Sequence, residues 1–250
     1  MRLGTMAMTM TKAWAWVLDY LYVSFWQVRG LLIRDSAQEL LQDVRADAVP
    51  VLLIPGIYEN WRFLRPVANR LHAAGHPVHV VARLGYNRGT IPAMAELVEN
   101  YLLEQNLRNV VVVAHSKGGL IGKCLMTGTS AADRVSAMVA VNTPFSGSVY
   151  AKYAPARTIR AFSPNDPLLL RLASNLEVNS RITAIYSSFD PHIPGDGQLA
   201  GGTNIRLAAM GHFRVLGDPA LLQAVGEAVA RRPDAAPSAR DAGADAGEDH

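Results

Sequence analysis

The stretch that most constrains this chain is a run of valines that ends at a serine set between small residues. Residues 110–113 are four consecutive valines followed by Ala114, a pattern typical of a strand buried on both faces of a parallel sheet. Beyond Ser116, the apolar positions of 118–126 predict a buried helix. The sequence therefore predicts a strand, an abrupt turn and a helix, with the serine hydroxyl at the carboxyl edge of the sheet.

The turn itself has the Ala-x-Ser-x-Gly pattern of a nucleophile elbow. Ala114 and Gly118 lie two residues before and after Ser116, where a tight turn leaves no room for larger side chains. The alternative is an ordinary turn after a core strand, since short patterns of this type also occur by chance. The strand on one side and the helix on the other favour the elbow.

Size and composition predict one folded domain with a sizeable core. The chain has 250 residues, of which 50% are hydrophobic and 18% charged, which excludes general disorder. The net charge is only +3, and the basic residues are scattered, so we expect no nucleic-acid partner. The single cysteine, Cys124, excludes an intrachain disulfide and a cysteine-based zinc site, and we expect it in the core.

Apolar runs alternate with helical patterns along most of the chain. The predicted strands cover 49–54, 77–82, 110–114, 136–141, 182–186 and 205–209, and further helices cover 61–74, 91–105 and 219–231. Such alternation indicates a parallel sheet with right-handed crossovers. We therefore predict a minimal α/β fold of about six mostly parallel strands flanked by helices, occupying residues 48–231.

The N-terminal segment, 1–47, carries an aromatic helix over 13–33 followed by a polar helical stretch over 35–47. The first helix holds three of the four tryptophans, and its length of about 30 Å could cross a bilayer. Asp19 in mid-span argues against a transmembrane helix. Two alternatives remain, packing on the body or lying in a membrane interface. No convincing signal-peptide cleavage site follows, so we expect a cytoplasmic or membrane-associated protein.

Two further segments depart from the alternation. Residues 142–181 form a proline-containing, lid-like insertion that we expect to roof Ser116 and shape a substrate pocket, the alternative being a passive surface insertion. Residues 232–250 are rich in Ala, Gly, Asp and Pro without an apolar period, which predicts a disordered tail.

A serine nucleophile needs a base, a group that orients the base, and donors for the oxyanion. His212 follows the last predicted strand and Asp190 follows the preceding one, which is the order expected for successive strands of such a sheet. We predict Ser116, His212 and Asp190 as nucleophile, base and acid. The backbone N–H groups of Ile57 and Lys117 are the predicted oxyanion donors, with the Lys117 side chain facing solvent.

Some alternatives stay open at these positions. His192 is a rival base, although only two residues from Asp190 it is badly placed to accept that carboxylate's hydrogen bond. Asp196 and then Asp166 are alternative acids. The remaining histidines are expected in packing, surface or tail positions: His72, His76, His79, His115 and His250.

The chain resembles the α/β-hydrolases, and within them small bacterial lipase- and esterase-like proteins. The matching segments are 54–57, 114–119, 142–148, Asp190 and 211–212. The alanine that replaces the first glycine of the elbow is similar to the variant in Bacillus-type lipases. The resemblance implies the same roles for Ser116, His212, Asp190, Ile57 and Lys117. Two departures are Pro55, where many relatives have histidine, and the N-terminal helix, which has no counterpart.

These features predict a serine hydrolase that cleaves a lipophilic carboxylic ester through an acyl-enzyme, without a metal or organic cofactor. Its partner would be a small-molecule or lipid ester, with peripheral membrane association through 13–33 as a further possibility. A thioesterase or an acyltransferase with the same residues is the first alternative. A non-catalytic, membrane-associated binding protein of the same fold is the second.

Overall fold

A computed structural model describes residues 2–32, 36–153, 157–193, 195 and 197–231. These residues form one six-stranded sheet in which every neighbouring pair of strands is parallel. The strands are β1 (Val51–Ile54), β2 (Val78–Val80), β3 (Val110–His115), β4 (Val135–Val141), β5 (Ile182–Phe189) and β6 (Thr203–Met210). The predicted α/β class and strand number are confirmed.

Helices cover both faces of this sheet. They are α1 (Arg2–Leu32), α2 (Arg65–Ala73), α3 (Ile91–Glu104), α4 (Lys117–Gly128), α5 (Arg157–Arg160), α6 (Pro167–Ser174) and α7 (Pro219–Ala230). Local chemistry sets their starts: Thr90 caps α3 by accepting the N–H of Ala93, and Asp218 caps α7 in the same way. The helices predicted over 91–105 and 219–231 end within one residue of the observed ones.

Strand β3 shows why the valine run dictates this architecture. All six of its residues are buried, and successive side chains point to opposite faces of the sheet. Val110, Val112 and Ala114 belong to the core on the side of α3 and α4, whereas Val111 and Val113 belong to the core on the side of α2 and α7. Burying a valine completely stabilises the fold by about 1.5–3 kcal/mol, so β3 anchors both layers.

The strand order places a ligand site at one predictable point. The order is β2-β1-β3-β4-β5-β6, so the chain reverses its direction across the sheet between β1 and β3. Ligands of open parallel sheets bind beyond the carboxyl ends of the strands at such a switch point. Here those ends are Ile54 and His115, which directly precede the loop at 55–60 and Ser116.

The N-terminal segment differs from its prediction after α1. The helix expected over 35–47 is wrong: the described part of this stretch has one short 3-10 turn, Gln38–Leu41. Asp43 has a positive φ of 52°, which ends helical geometry, and the N–H of Arg45 bonds to the carbonyl of Gly75 instead of to its own segment. A hydrogen bond to a distant segment, from Arg45 to Gly75, therefore takes the place of the hydrogen bonds that a local helix would make.

No helix among the described residues is long and apolar enough to cross a membrane. Helix α1 lies against the 3-10 turns Trp61–Leu64 and Arg214–Gly217 of the body. The predicted disordered tail, 232–250, lies outside the described residues.

Candidate active site

The Ser116 turn has the strained geometry of an elbow. Ser116 has φ 51° and ψ −121°, a backbone conformation that non-glycine residues rarely adopt. The residues that follow Ser116 are small for a steric reason. A Cβ on Gly118 would collide with the carbonyl of Ile54, and a Cβ on Gly119 would collide with the side chain of Thr143. The turn thus requires glycine at both positions.

Three of the predicted residues meet at the carboxyl edge of the sheet. Nε2 of His212 lies 2.9 Å from Oγ of Ser116, and Nδ1 of His212 lies 2.7 Å from Oδ2 of Asp190. All three side chains are buried. Because the carboxylate accepts the Nδ1–H, a neutral His212 presents its Nε2 lone pair to the serine hydroxyl. The arrangement can therefore take the proton of the serine as its oxygen attacks.

The pKa shifts of His212 and Asp190 suit a histidine base paired with an ionised carboxylate. Burial lowers the pKa of His212, but the charge and hydrogen bond of Asp190, together with the charges of Glu59 and Asp19, outweigh burial, and the net pKa is raised. Burial raises the pKa of Asp190, yet His212 and the backbone N–H of His192 bring it below its ordinary value. Asp190 is thus held ionised, with its other oxygen accepting the N–H groups of His192 and Ile193 at 2.8 and 3.1 Å.

The loop after β1 is fixed by a buried glutamate that sequence reasoning missed. The carboxylate of Glu59 accepts the N–H of Gly56 at 2.9 Å, and a Cβ on Gly56 would lie 2.6 Å from it. Asn87 donates to the carbonyl of Pro55 at 2.7 Å. These contacts hold the loop around Pro55 in place. The loop carries Ile57, which lines the same cavity as Ser116.

The family model described as the alpha/beta hydrolase family matches residues 51–247, most of the chain. The chain belongs to the alpha/beta hydrolase family. A sequence comparison with curated proteins finds no match.

Solved structures with the same fold are also similar to this chain. An extracellular alpha/beta-hydrolase from a Paenibacillus species is 17% identical with a TM-score of 0.53, covering 75% of this chain and 100% of that one. The mature form of a Bacillus licheniformis lipase is 14% identical with a TM-score of 0.58. The match covers 74% of this chain and 95% of the lipase. Aspergillus fumigatus lipase B is 18% identical with a TM-score of 0.65. The match covers 77% of this chain and 55% of lipase B. At these identities the likeness is one of fold.

A cavity of about 890 Å³ opens onto Ser116 and His212 in this alpha/beta hydrolase, a size that suits a small organic ligand. Its apolar wall includes Ile57, Ala151, Ile159, Phe162 and Ile193. Three of these side chains come from the 142–181 segment, as do the lining residues Pro144, Ser148 and Tyr150. The segment therefore forms a wall of the cavity that holds the serine.

The expectation for the Lys117 side chain is wrong. Lys117 is 2% exposed, and its ammonium donates to the carbonyls of Asn87 and Gly89 at 2.8 and 2.6 Å and to the side-chain oxygen of Asn87 at 3.1 Å. Burial lowers its pKa to about 8. The side chain ties α4 to the loop at 84–90. The backbone N–H of Lys117 is in the first turn of α4, where such groups have no intrahelical acceptor.

The rival residues make other contacts than those of a base or an acid on Ser116. The ring centroid of His192 lies 4.9 Å from that of His212 with the planes tilted by 50°, and burial, helped by the neighbouring His212, lowers the pKa of His192 to about 4. His115 bonds to Glu59 through Nδ1 at 2.8 Å and to the carbonyl of His212 through Nε2 at 2.9 Å. Asp166 caps α6. Asp196 lies outside the described residues.

The most unexpected member of the site is Asp19 of α1. This fully buried carboxylate accepts the backbone N–H groups of His212, Phe213 and Arg214 at 2.9, 2.8 and 2.9 Å. Gly211, with φ 111°, allows the close approach, since a Cβ there would lie 2.7 Å from Asp19. A helix that precedes the family-matched region thus holds the loop that carries His212. The sequence signal was a lone acid in an apolar helix, which needs a buried partner.

We expect Asp19→Asn to lower kcat/KM for hydrolysis by about 10- to 100-fold, because an amide NH₂ would face main-chain donors. The Asp19 charge also helps to raise the pKa of His212, so the acid limb of the pH–rate profile should move to lower pH. Steady-state kinetics against pH measures both. Asp43→Asn, at an exposed acid of the same segment, is the control and should change neither. A loss of activity with an unmoved profile would reduce Asp19 to a packing role.

Proposed function

We propose that this protein hydrolyses a carboxylic ester with a lipophilic acyl group through an acyl-enzyme on Ser116. The observation that carries the proposal is the hydrogen-bonded series of Ser116, His212 and Asp190 opening onto a cavity with an apolar wall. Membership of the alpha/beta hydrolase family supports hydrolysis in general.

The reaction follows from the roles of these groups. His212 removes the hydroxyl proton as Oγ of Ser116 attacks the ester carbonyl, and Asp190 stabilises the resulting imidazolium. The backbone N–H groups of Ile57 and Lys117 would bind the oxyanion, an interaction worth about 100- to 1,000-fold in rate per donor. The imidazolium then protonates the departing alcohol. Water, deprotonated by His212, releases the acid and restores the serine.

A graded series of p-nitrophenyl esters, from acetate through butyrate and octanoate to dodecanoate, tests this proposal. We expect kcat/KM to rise with chain length by up to about fourfold per buried methylene, until the cavity is filled. The p-nitroanilide of the preferred acyl group is the matched control, and it should react far more slowly. Equal rates along the series would contradict a lipophilic acyl site, and the absence of turnover for every ester would contradict the esterase.

A further inference from the structure

Helix α1 carries its apolar residues on the outside. An exposed stripe, 42–61% accessible, consists of Trp14, Val17, Leu18, Leu21, Phe25 and Val28. Their spacing of three and four residues places all six on one face of the helix, within an arc of about 100°. We call this face the outer stripe. Exposed apolar surfaces of this kind mark interaction sites on folded proteins.

The side of α1 that packs on the body is different in character. Ala15, Asp19 and Trp26 are buried there, and Asp19 is the sole acidic residue of the helix. The usual arrangement of a surface helix is thus reversed, with a carboxylate inside and large apolar side chains outside. Within the described part of the chain, no other element covers the outer stripe.

Helix α1 also borders the mouth of the active-site cavity. Trp16 and Tyr20 line the cavity and are 41% and 46% exposed, so they form part of its rim. From the 142–181 segment, Tyr150 lines the same cavity and is 58% exposed, and its neighbour Val149 is 51% exposed. The apolar surface therefore extends from the helix to the entrance that leads to Ser116.

The charges around this entrance have one sign. Among the described charged side chains that line the cavity, Lys12 and Arg206 are exposed cations. The two carboxylates of the lining, Glu59 and Asp190, are buried and hydrogen-bonded within the site. With Asp19 also buried, the accessible charge at the mouth is positive.

We infer that the outer stripe and the cavity rim dock on an anionic lipid surface, which brings the mouth of the active site against the lipid. Tryptophan and tyrosine settle at the level of lipid head groups, and an apolar helix face flanked by cations lies in the plane of such an interface. The positive rim complements anionic lipid and does not complement a second copy of itself. Docking does not require turnover, so the inference goes beyond the proposed function.

Vesicle sedimentation of the full chain tests it. Ser116→Ala protein, which leaves the lipid intact, is mixed with vesicles of phosphatidylcholine alone or with added phosphatidylglycerol. We expect it to sediment with the anionic vesicles and less with the neutral ones. Adding Leu21→Glu and Phe25→Glu, both 60% exposed, should lower the partition coefficient by about tenfold or more. The matched control adds Leu170→Glu and Leu176→Glu, 55% and 58% exposed, and should bind as the parent does.

Three results would overturn the inference. The first is that the parent stays in solution with both vesicle types. The second is that the outer-stripe variant binds as well as the control. The third is a dimer without lipid that the outer-stripe variant turns into a monomer, since a second copy would then cover the stripe. Turnover of p-nitrophenyl acetate by the serine-containing outer-stripe variant, expected to equal that of wild type, keeps a failure of docking separate from a failure of the esterase.

Discussion

Replacing Ser116 by alanine is expected to lower kcat for ester hydrolysis by about 10⁶-fold. The substitution removes the atom that would form the acyl-enzyme, and His212 would then have no hydroxyl to activate. Ser188→Ala is the control, because this serine lines the same cavity but donates its hydroxyl to main-chain carbonyls. Its turnover should stay within a few-fold of wild type. A Ser116→Ala protein that keeps a tenth of the wild-type rate would mean that another group is the nucleophile.

Asp190→Asn is expected to lower kcat by about 10⁴-fold, since an asparagine no longer favours the His212 tautomer that presents Nε2 to the serine. It should also displace the pH dependence. The pKa of His212 lies above the ordinary value of 6.5 because of Asp190, and protonated His212 cannot accept a proton. Wild-type kcat/KM should therefore fall as the pH drops through a midpoint above 6.5. In Asp190→Asn the midpoint should move to lower pH.

The control for this carboxylate is Asp166→Asn. Asp166 caps α6, and asparagine caps a helix about as well as aspartate, so stability should hardly change. Its activity and pH midpoint should equal those of wild type. The opposite pattern, with Asp166→Asn inactive and Asp190→Asn active, would show that Asp166 and not Asp190 is the acid.

The fold was predictable because its signals are local. Four β-branched valines in succession favour a strand with both faces covered, and the small residues around Ser116 can be read from the sequence without knowing what they contact. The proximity of Asp190 and His212 was predictable too, because the carboxyl ends of parallel strands meet at one edge of a sheet.

The supporting contacts were not predictable, since they join distant parts of the chain. Asp19 and His212 are 193 residues apart, and no periodicity records that pairing. Lys117 was expected in solvent because lysine is usually exposed, yet the loop at 84–90 covers it and supplies its acceptors. The helix predicted over 35–47 failed for a similar reason, because Arg45 pairs with Gly75.

The proposed chemistry requires that the buried Ser116, at the end of β3, is activated as a nucleophile. The most direct measurement is labelling of the full chain with a fluorophosphonate, followed by mass spectrometry of the labelled peptide. We expect one adduct on Ser116, formed in wild type and in Ser188→Ala and lost in Ser116→Ala. Folded wild-type protein that takes up no label, or an adduct on a different residue, would contradict it.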